Sequence, residues 1–268
     1  MLFQLKAYIK FLLKSQNEHG LHSPFVYELV TRCFYDTSEH SEYDIIKDYR
    51  NDLLRNREII EVEDFGAGSR VFSSNRRPIH AIAKNAGITL FRAKLLFRIV
   101  NYLKIGNAME LGTSLGIASA AIAANKFTEL TTIEGCKETA KIARQHFEKF
   151  DLNNVDLRFD KIENVLSDLT GKVRTTKIGQ KTSEKFDLIY FDGNHQKQAT
   201  LDYFRTLLPL AHNDSVFIFD DIHWSADMQE AWKEIIAHPQ VRVSIDTFQW
   251  GFIFFRSEQV KEHFTIRV

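Results

Sequence analysis

The chain has 268 residues, which is enough for one large α/β domain or for such a domain with an extension. Basic and acidic residues number 35 each, and this balance argues against a general attraction to nucleic acid or to anionic membranes. The two cysteines exclude a disulfide framework, and no apolar run approaches the ~20 residues of a membrane span, so we expect a cytoplasmic protein.

Residues 1–88 differ in pattern from the rest, and we predict a helical extension there, followed by a second domain at residues 89–268. The extension has apolar residues at helical spacing near residues 2–14, 24–34 and 42–57. The first of these stretches is rich in apolar residues and carries lysines on one stripe. It predicts a helix that packs on its own domain or on the second subunit of a homodimer, with a position on a membrane surface as the alternative.

A glycine-rich segment and a basic span follow these helices. The segment at residues 64–69 reads Asp-Phe-Gly-Ala-Gly-Ser, and we predict a loop over the active site because no small-residue helix follows it. No acidic residue occurs between Asp64 and Glu110, and the basic span, residues 70–104, is typical of a solvated helix face. Its alternatives are a site for an anionic substrate and the edge of an RNA-binding surface. The eight cations are Arg70, Arg76, Arg77, Lys84, Arg92, Lys94, Arg98 and Lys104.

The segment at residues 108–123 reads as a strand, a glycine turn and a helix of small residues. Gly112 allows a tight turn at the end of the strand, and Gly116 removes a side chain where a ligand or the strand must come close. Glu134 follows Gly112 by 22 residues, the separation at which nucleotide-binding folds present an acid to the ribose hydroxyls of an adenosine. The pattern therefore predicts an adenosine-containing cofactor.

The glycine spacing argues against a dinucleotide as that cofactor. A dinucleotide fingerprint has the form Gly-x-Gly-x-x-Gly, which lets a pyrophosphate sit on the helix N-terminus. Ser114 and Ile117 occupy the second and third glycine positions of this chain. We therefore do not expect NAD or FAD to bind.

Strand and helix patterns alternate from residue 107 onward, which predicts parallel β-α-β units. The polar stretch at residues 171–185 predicts a loop. We therefore predict a doubly wound, Rossmann-like α/β fold with a seven-stranded sheet that is mostly parallel and has an antiparallel last strand. The predicted strands lie near residues 108–111, 131–134, 155–159, 186–192, 215–221, 241–245 and 252–255.

Acidic residues follow the ends of several predicted strands. Glu134, Asp192 and the pair Asp220 and Asp221 all stand at such ends. Because ligands of open α/β sheets bind outside the carboxyl ends of the strands, we expect these acids to converge on one crevice. Asp160 also ends a strand, and its two alternative roles are a polar contact to adenine and that of an ordinary loop aspartate.

The pattern Glu-x-Gly-x-x-x-Gly at Glu110–Gly116 resembles motif I of the class I S-adenosylmethionine-dependent methyltransferases. With Phe-Asp-Gly-Asn-His at residues 191–195 and Phe-Asp-Asp-Ile-His-Trp at residues 219–224, the chain resembles the branch that includes catechol O-methyltransferase. The resemblance covers residues 89–268 and is most detailed for a group of bacterial methyltransferases. It implies S-adenosylmethionine as the cofactor and O-methylation of a small-molecule acceptor, which would be anionic if the basic span binds it.

Two other functions stay open at this point. An RNA methyltransferase would use the basic span, and a binding protein would retain the cofactor pocket without turnover. The cofactor-binding residues that the motif and the resemblance indicate are Glu110, Gly112, Thr113, Ser114, Gly116, Glu134, Gly135, Asp160 and Asp192.

The catechol-type enzymes bind Mg²⁺ at strand-end aspartates and place a basic residue three positions after the first of them. By this resemblance, Asp192, Asp220 and Asp221 would hold Mg²⁺ or another divalent cation, and Asp192 and His195 would be catalytic. Asp221 replaces the asparagine of those enzymes, so a base or a cap of the following helix is its alternative role. An ordinary helix-terminal hydrogen bond is the alternative for His195, and His223 is a second candidate base.

Overall fold

A computed structural model gives the architecture of most of the chain. The predicted loop at residues 171–185 falls almost entirely outside the described residues, as do Ser69 and Arg70. The structure describes residues 2–66, 68, 72–171 and 185–268.

The chain divides into two compact units. The first unit consists of Met1–Pro24 and Glu163–Val268, and the second unit is Phe25–Ile162. This division does not coincide with the predicted boundary between residues 88 and 89.

The second unit contains three parallel strands in the order β3-β4-β5 and a separate antiparallel pair, β1 and β2. In the parallel set, Leu130 of β4 pairs with Ala108 of β3 on one side and with Val155 of β5 on the other. The elements are α2 (Pro24–Leu29), a π-helical turn (Val30–Phe34), α3 (Glu42–Arg55), β1 (Ile59–Glu61), β2 (Arg76–Pro78), α4 (Ile79–Asn85), α5 (Leu90–Tyr102), β3 (Asn107–Leu111), α6 (Ile117–Ala123), β4 (Glu129–Glu134), α7 (Lys137–Lys149) and β5 (Val155–Phe159).

The first unit contains five strands in the order β10-β8-β9-β7-β6. Strand β9 runs antiparallel to both β7 and β8, whereas β6 is parallel to β7 and β10 is parallel to β8. The elements are α1 (Leu2–Lys14), α8 (Ile162–Gly171), β6 (Leu188–Phe191), α9 (Lys197–Leu207), β7 (Val216–Asp220), α10 (Ala226–Ala237), β8 (Val243–Asp246), β9 (Trp250–Phe254) and β10 (Glu262–Thr265).

This architecture confirms the predicted Rossmann-like α/β fold class and the three N-terminal helices. The parallel and antiparallel sets comprise eight strands rather than the predicted seven, because β10 adds a strand after the predicted last pair. Strand β10 reads Glu-His-Phe-Thr, and only Phe264 in it is buried. A short polar edge strand of this kind has no apolar run by which sequence periodicity would detect it.

The strands in the middle of the first unit are buried over their whole length. Every residue of β6, β7 and β9 is buried, as expected for strands whose two faces are both covered. Each fully buried Phe or Leu in such a strand stabilises the fold by about 1.5–3 kcal/mol relative to an exposed one. These strands therefore fix the backbone on which Asp192 and Asp220 stand.

Helix α1 buries one face within the first unit and leaves the other face exposed. Phe11 is 6% exposed and its ring lies 5.5 Å from that of Phe248, whereas Leu13 is 82% exposed. The packing of α1 on its own unit agrees with the first of the alternatives predicted for it. Among the described residues, no helix is long and apolar enough to cross a membrane.

Candidate functional site

The turn between β3 and α6 has the conformation that its glycines allow. Gly112 has φ of 95° and Gly116 has φ of 78°, while Ser114 between them has φ of 50°. The backbone N–H groups of Gly112 and Thr113 both donate to the carbonyl of Ile133, at 3.0 and 3.1 Å. The turn is therefore held against the end of β4.

Gly116 is needed because protein side chains come close to it. A Cβ at this position would lie 2.5 Å from Oη of Tyr49 and 2.7 Å from the ring of Phe147. The Tyr49 hydroxyl donates to the carbonyl of Leu115 at 2.9 Å. The close approach predicted at Gly116 is thus made by α3 and α7 of the same unit.

Glu110 is fully buried beneath this turn. Its Oε2 accepts hydrogen bonds from the hydroxyls of Ser119 and, at 2.5 Å, Thr132. Since Thr132 donates to Glu110, the 2.6 Å contact between Thr113 and Thr132 has Thr113 as its donor. Burial raises the pKa of Glu110 to about 7, and the two hydroxyl bonds act in the opposite direction. Glu110 is therefore connected to Thr113 of the turn through the Thr132 hydroxyl, and these hydrogen bonds stabilise the turn.

Glu134 stands at the end of β4 and is only partly buried. Its Oε2 accepts from the N–H of Ser114 at 2.6 Å, and its Oε1 accepts from the N–H of Cys136 at 2.8 Å. Burial raises the pKa of Glu134, and these backbone hydrogen bonds oppose the rise. The Thr139 hydroxyl and the Gly135 N–H also act on this carboxylate, and Glu134 remains partly exposed, as an acid that meets the hydroxyls of a ribose must be. The residues present fit an adenosine cofactor.

Gly135 and Asp160 lie beside Glu134. The N–H of Asp160 donates to the carbonyl of Glu134 at 3.2 Å, and the Asp160 side chain is exposed and accepts from the N–H of Lys161. A Cβ on Gly135 would lie 3.0 Å from the ring of Phe65. Sequence reasoning did not single out Phe65, for which the only signal was an aromatic residue within the glycine-rich segment at residues 64–69.

In the first unit, the structure brings His195 and Asp192 together. His195 Nε2 lies 3.6 Å from Asp192 Oδ1, and both side chains are partly exposed. The turn that carries His195 has an unusual backbone, with φ of 73° at Asn194 and 47° at His195. His195 lines a small cleft that Asp220 and Tyr203 also line.

The three predicted metal ligands all lie in the first unit. Asp220 is 5% exposed, and its oxygens accept from the Tyr190 hydroxyl at 3.2 Å and the Asp221 N–H at 2.8 Å. In the part of the chain that the structure describes, no three His, Cys, Asp or Glu side chains are arranged to hold a metal ion. The predicted Mg²⁺ set of Asp192, Asp220 and Asp221 therefore stays a prediction.

The alternative role of Asp221 as a cap of the following helix is wrong. Helix α10 begins after Ser225, whose hydroxyl accepts from the N–H of Met228 at 3.1 Å. Asp221 lies four residues earlier, in a turn where its φ is 53° and its carbonyl accepts from the N–H of Trp224. Ser225 is the better cap because its side chain directly reaches an unpaired N–H of the first helical turn.

His223 has both ring nitrogens engaged. Its Nε2 lies 2.8 Å from Asp246 Oδ2, and its Nδ1 lies 2.7 Å from Nε2 of Gln229. The ring also stacks on Phe248, with centroids 5.0 Å apart. These contacts fix the orientation of His223 within the first unit and favour His195 as the base.

The basic span does not form one solvated face. Arg98 is buried and donates to the carbonyls of Cys33 and Phe34 and to the Tyr43 hydroxyl. Arg77 is also buried, and its Nε donates to the carbonyl of Ser74 at 3.1 Å. These two cations hold the fold together, and an RNA-binding surface at residues 70–104 would lack them.

Comparisons with known proteins show what this chain is similar to. Residues 109–222 match the sequence profile of a family described as a methyltransferase domain. No curated protein matches the chain. Residues 109–222 are therefore similar to a methyltransferase domain, and the chain has the fold of the O-methyltransferase structures described next.

Solved structures agree with this fold. An O-methyltransferase from Bacillus cereus in complex with SAH is 19% identical, with a TM-score of 0.51 over 85% of this chain and 95% of that one. A Streptomyces achromogenes O-methyltransferase involved in tomaymycin synthesis, in complex with SAM, is 15% identical, with a TM-score of 0.55 over 84% and 94% of the two chains. An SAH-bound methyltransferase from Podospora anserina is 13% identical, with a TM-score of 0.57 over 88% and 97%.

Proposed function

We propose that the protein transfers the methyl group of S-adenosylmethionine to a hydroxyl oxygen of a small molecule. The observation that carries the proposal is Glu134, a partly exposed carboxylate at the end of β4 that is hydrogen-bonded to the Gly112–Gly116 turn. This is the arrangement in which a strand-end acid binds the ribose of an adenosine. The Bacillus and Streptomyces O-methyltransferases, which carry SAH and SAM, support the choice of cofactor and of an oxygen acceptor.

The residues of the second unit would hold the cofactor. Glu134 would accept hydrogen bonds from the ribose hydroxyls. The backbone of Gly112, Thr113 and Ser114 would border the methionine end of S-adenosylmethionine. Asp160, exposed at the end of β5, would accept a hydrogen bond from the amino group of adenine. Glu110 would act through the turn that it supports, since its side chain is fully buried.

The bound cofactor supplies a methyl group on a positively charged sulfur. In the transfer, the acceptor oxygen forms a bond to the methyl carbon while the carbon–sulfur bond breaks, and the acceptor hydroxyl loses its proton. His195 would take that proton, and Asp192, 3.6 Å away, would stabilise the imidazolium that forms. The remaining requirement is positioning, because the acceptor oxygen must lie about 3 Å from the methyl carbon and in line with the breaking bond.

The proposal includes no divalent cation. The carboxylate of Asp220 is 5% exposed and accepts hydrogen bonds from Tyr190 and Asp221, and the binding of Mg²⁺ or another divalent cation by Asp192, Asp220 and Asp221 stays a prediction from the sequence. The proton transfer is accordingly assigned to His195 and Asp192 alone. The acceptor class, its charge and a homodimeric assembly stay predictions from the sequence.

Incubation with methyl-labelled S-adenosylmethionine and a metabolite extract tests the proposal, with labelled products followed by mass spectrometry. A labelled small molecule should form with the wild-type protein, and His195→Ala should lower kcat by about 10²–10⁴-fold, the usual worth of a positioned base. Calorimetric titration with S-adenosylhomocysteine should show that His195→Ala binds the product cofactor as the wild type does.

Three other outcomes would change the assignment. Binding without any methylated product would identify a cofactor-binding protein, and labelled RNA in place of a small molecule would identify an RNA methyltransferase. Absence of S-adenosylhomocysteine binding by the folded wild-type protein would remove the proposed cofactor.

A further inference from the structure

Phe65 lies against the residue that follows Glu134. A Cβ added to Gly135 would meet two carbons of the Phe65 ring at 3.0 and 3.1 Å, so the ring occupies the space next to Gly135 that a side chain would otherwise fill. Phe65 nevertheless remains 46% exposed. An open aromatic surface therefore lies one residue away from the carboxylate assigned to the ribose.

Side-chain and backbone contacts hold the Phe65 segment in this place. The N–H of Glu63 donates to Sγ of Cys136 at 3.4 Å, and the Cys136 thiol contacts the carbonyl of Glu61 at 3.8 Å. The N–H of Val62 donates to the carbonyl of Asn75 at 2.8 Å, which extends the pairing of β1 with β2. The strand that leads to Phe65 is thus attached to the turn after β4.

The end of β5 approaches the same ring. Lys161 Nζ lies 5.4 Å from the centroid of Phe65, within the range of a cation–π interaction. The carbonyl of Asp160 lies 3.8 Å from the Cβ position of Gly135. An apolar ring, a cation and the exposed Asp160 carboxylate therefore surround the turn at Gly135.

We infer that Phe65 forms a stacking surface for the adenine ring of the cofactor, an inference that rests on the proposed function. Adenine is attached directly to the ribose, so a ribose bound at Glu134 places the base within a few ångströms of Gly135. Phe65 is 46% exposed there, and aromatic rings stack on nucleobases favourably. The glycine-rich segment at residues 64–69 thereby acquires a role through its aromatic residue.

Calorimetric titration with S-adenosylhomocysteine and with methylthioadenosine tests this inference. Phe65→Ala should weaken the binding of both molecules by about 10-fold, a typical effect of losing one stacked base, because both contain the adenosine. Phe65→Trp should bind about as tightly as the wild type, and Phe65→Leu, which keeps an apolar side chain over Gly135, should be weakened like Phe65→Ala.

Phe127→Ala is the matched control. Phe127 is 87% exposed and precedes β4, at the end of that strand opposite to Glu134, so its loss should leave the binding of both molecules unchanged. Unchanged or tighter binding by Phe65→Ala would overturn the inference while the proposed cofactor stands. Absence of binding by the wild-type protein would remove the proposed function and the inference together.

Discussion

Glu110 and Glu134 stand near the ends of two neighbouring parallel strands, but only Glu134 reaches solvent. Glu110 pairs in register with Thr132, which is two residues before Glu134. Two residues amount to roughly 7 Å along a strand, and they keep the side chains on one face of the sheet. The difference teaches that strand-end acids are not equivalent, since a shift of two residues separates an acid that supports the turn from one that faces a ligand.

The largest expected effect concerns the turn that follows Glu110 and is hydrogen-bonded to Glu134. Gly116→Ala should destabilise the protein by about 2–5 kcal/mol, because the new Cβ would lie 2.5 Å from Oη of Tyr49 and φ is 78°. Chemical denaturation measures this loss. Gly68→Ala is the control, with φ of 76° and no atom of the described residues within 4 Å of its Cβ. An equal loss in both variants would show that the contact with Tyr49 is unimportant.

The next effect sharpens the role of Glu110. Its pKa is raised to about 7 in the folded protein from 4.5, so the folded state holds the proton longer than the unfolded state does. Stability should therefore fall as the pH rises from about 4.5 to 7, by about 3 kcal/mol at ~1.4 kcal/mol per pKa unit. Glu110→Gln should flatten this part of the pH profile. A profile identical to that of the wild type would show that Glu110 is already ionised at low pH.

Glu134, unlike Glu110, should contribute more to cofactor binding than to the stability of the fold. Glu134→Ala should weaken S-adenosylhomocysteine binding by about 1.5–3 kcal/mol, the range for hydrogen bonds to a charged group, as measured by calorimetry. Because Glu134 is partly exposed, the free energy of unfolding should fall less in Glu134→Ala than in Gly116→Ala. Wild-type affinity in this variant would move the ribose site elsewhere.

The smallest effect tests how the turn is held from α3. Tyr49→Phe removes the hydroxyl that donates to the carbonyl of Leu115 and should cost about 1 kcal/mol of unfolding free energy. The cofactor affinity should stay the same, because the Gly112–Ser114 backbone remains bonded to β4. A larger loss of affinity than of stability would mean that Tyr49 positions the binding turn itself.

The sequence by itself determined the parts that depend on local pattern. The glycine turn at Gly112, the spacing to Glu134 and the alternation of strands and helices followed from backbone freedom and side-chain periodicity. The closing antiparallel pair was also predicted, because its two strands lie close together in the sequence. The local pattern did not indicate β10, because only one of its four residues, Phe264, is buried.

Only the tertiary structure decided what those residues contact. Gly116 meets Tyr49, which is distant in sequence, and Phe65 fills the space beside Gly135. Arg98 lies buried among the carbonyls of the π-helical turn rather than on a basic surface, and Asp220 turns its oxygens toward Tyr190 and its own neighbour. Burial and hydrogen-bond partners depend on which distant segments pack together, and residue type and spacing along the chain do not encode that packing in any readable pattern.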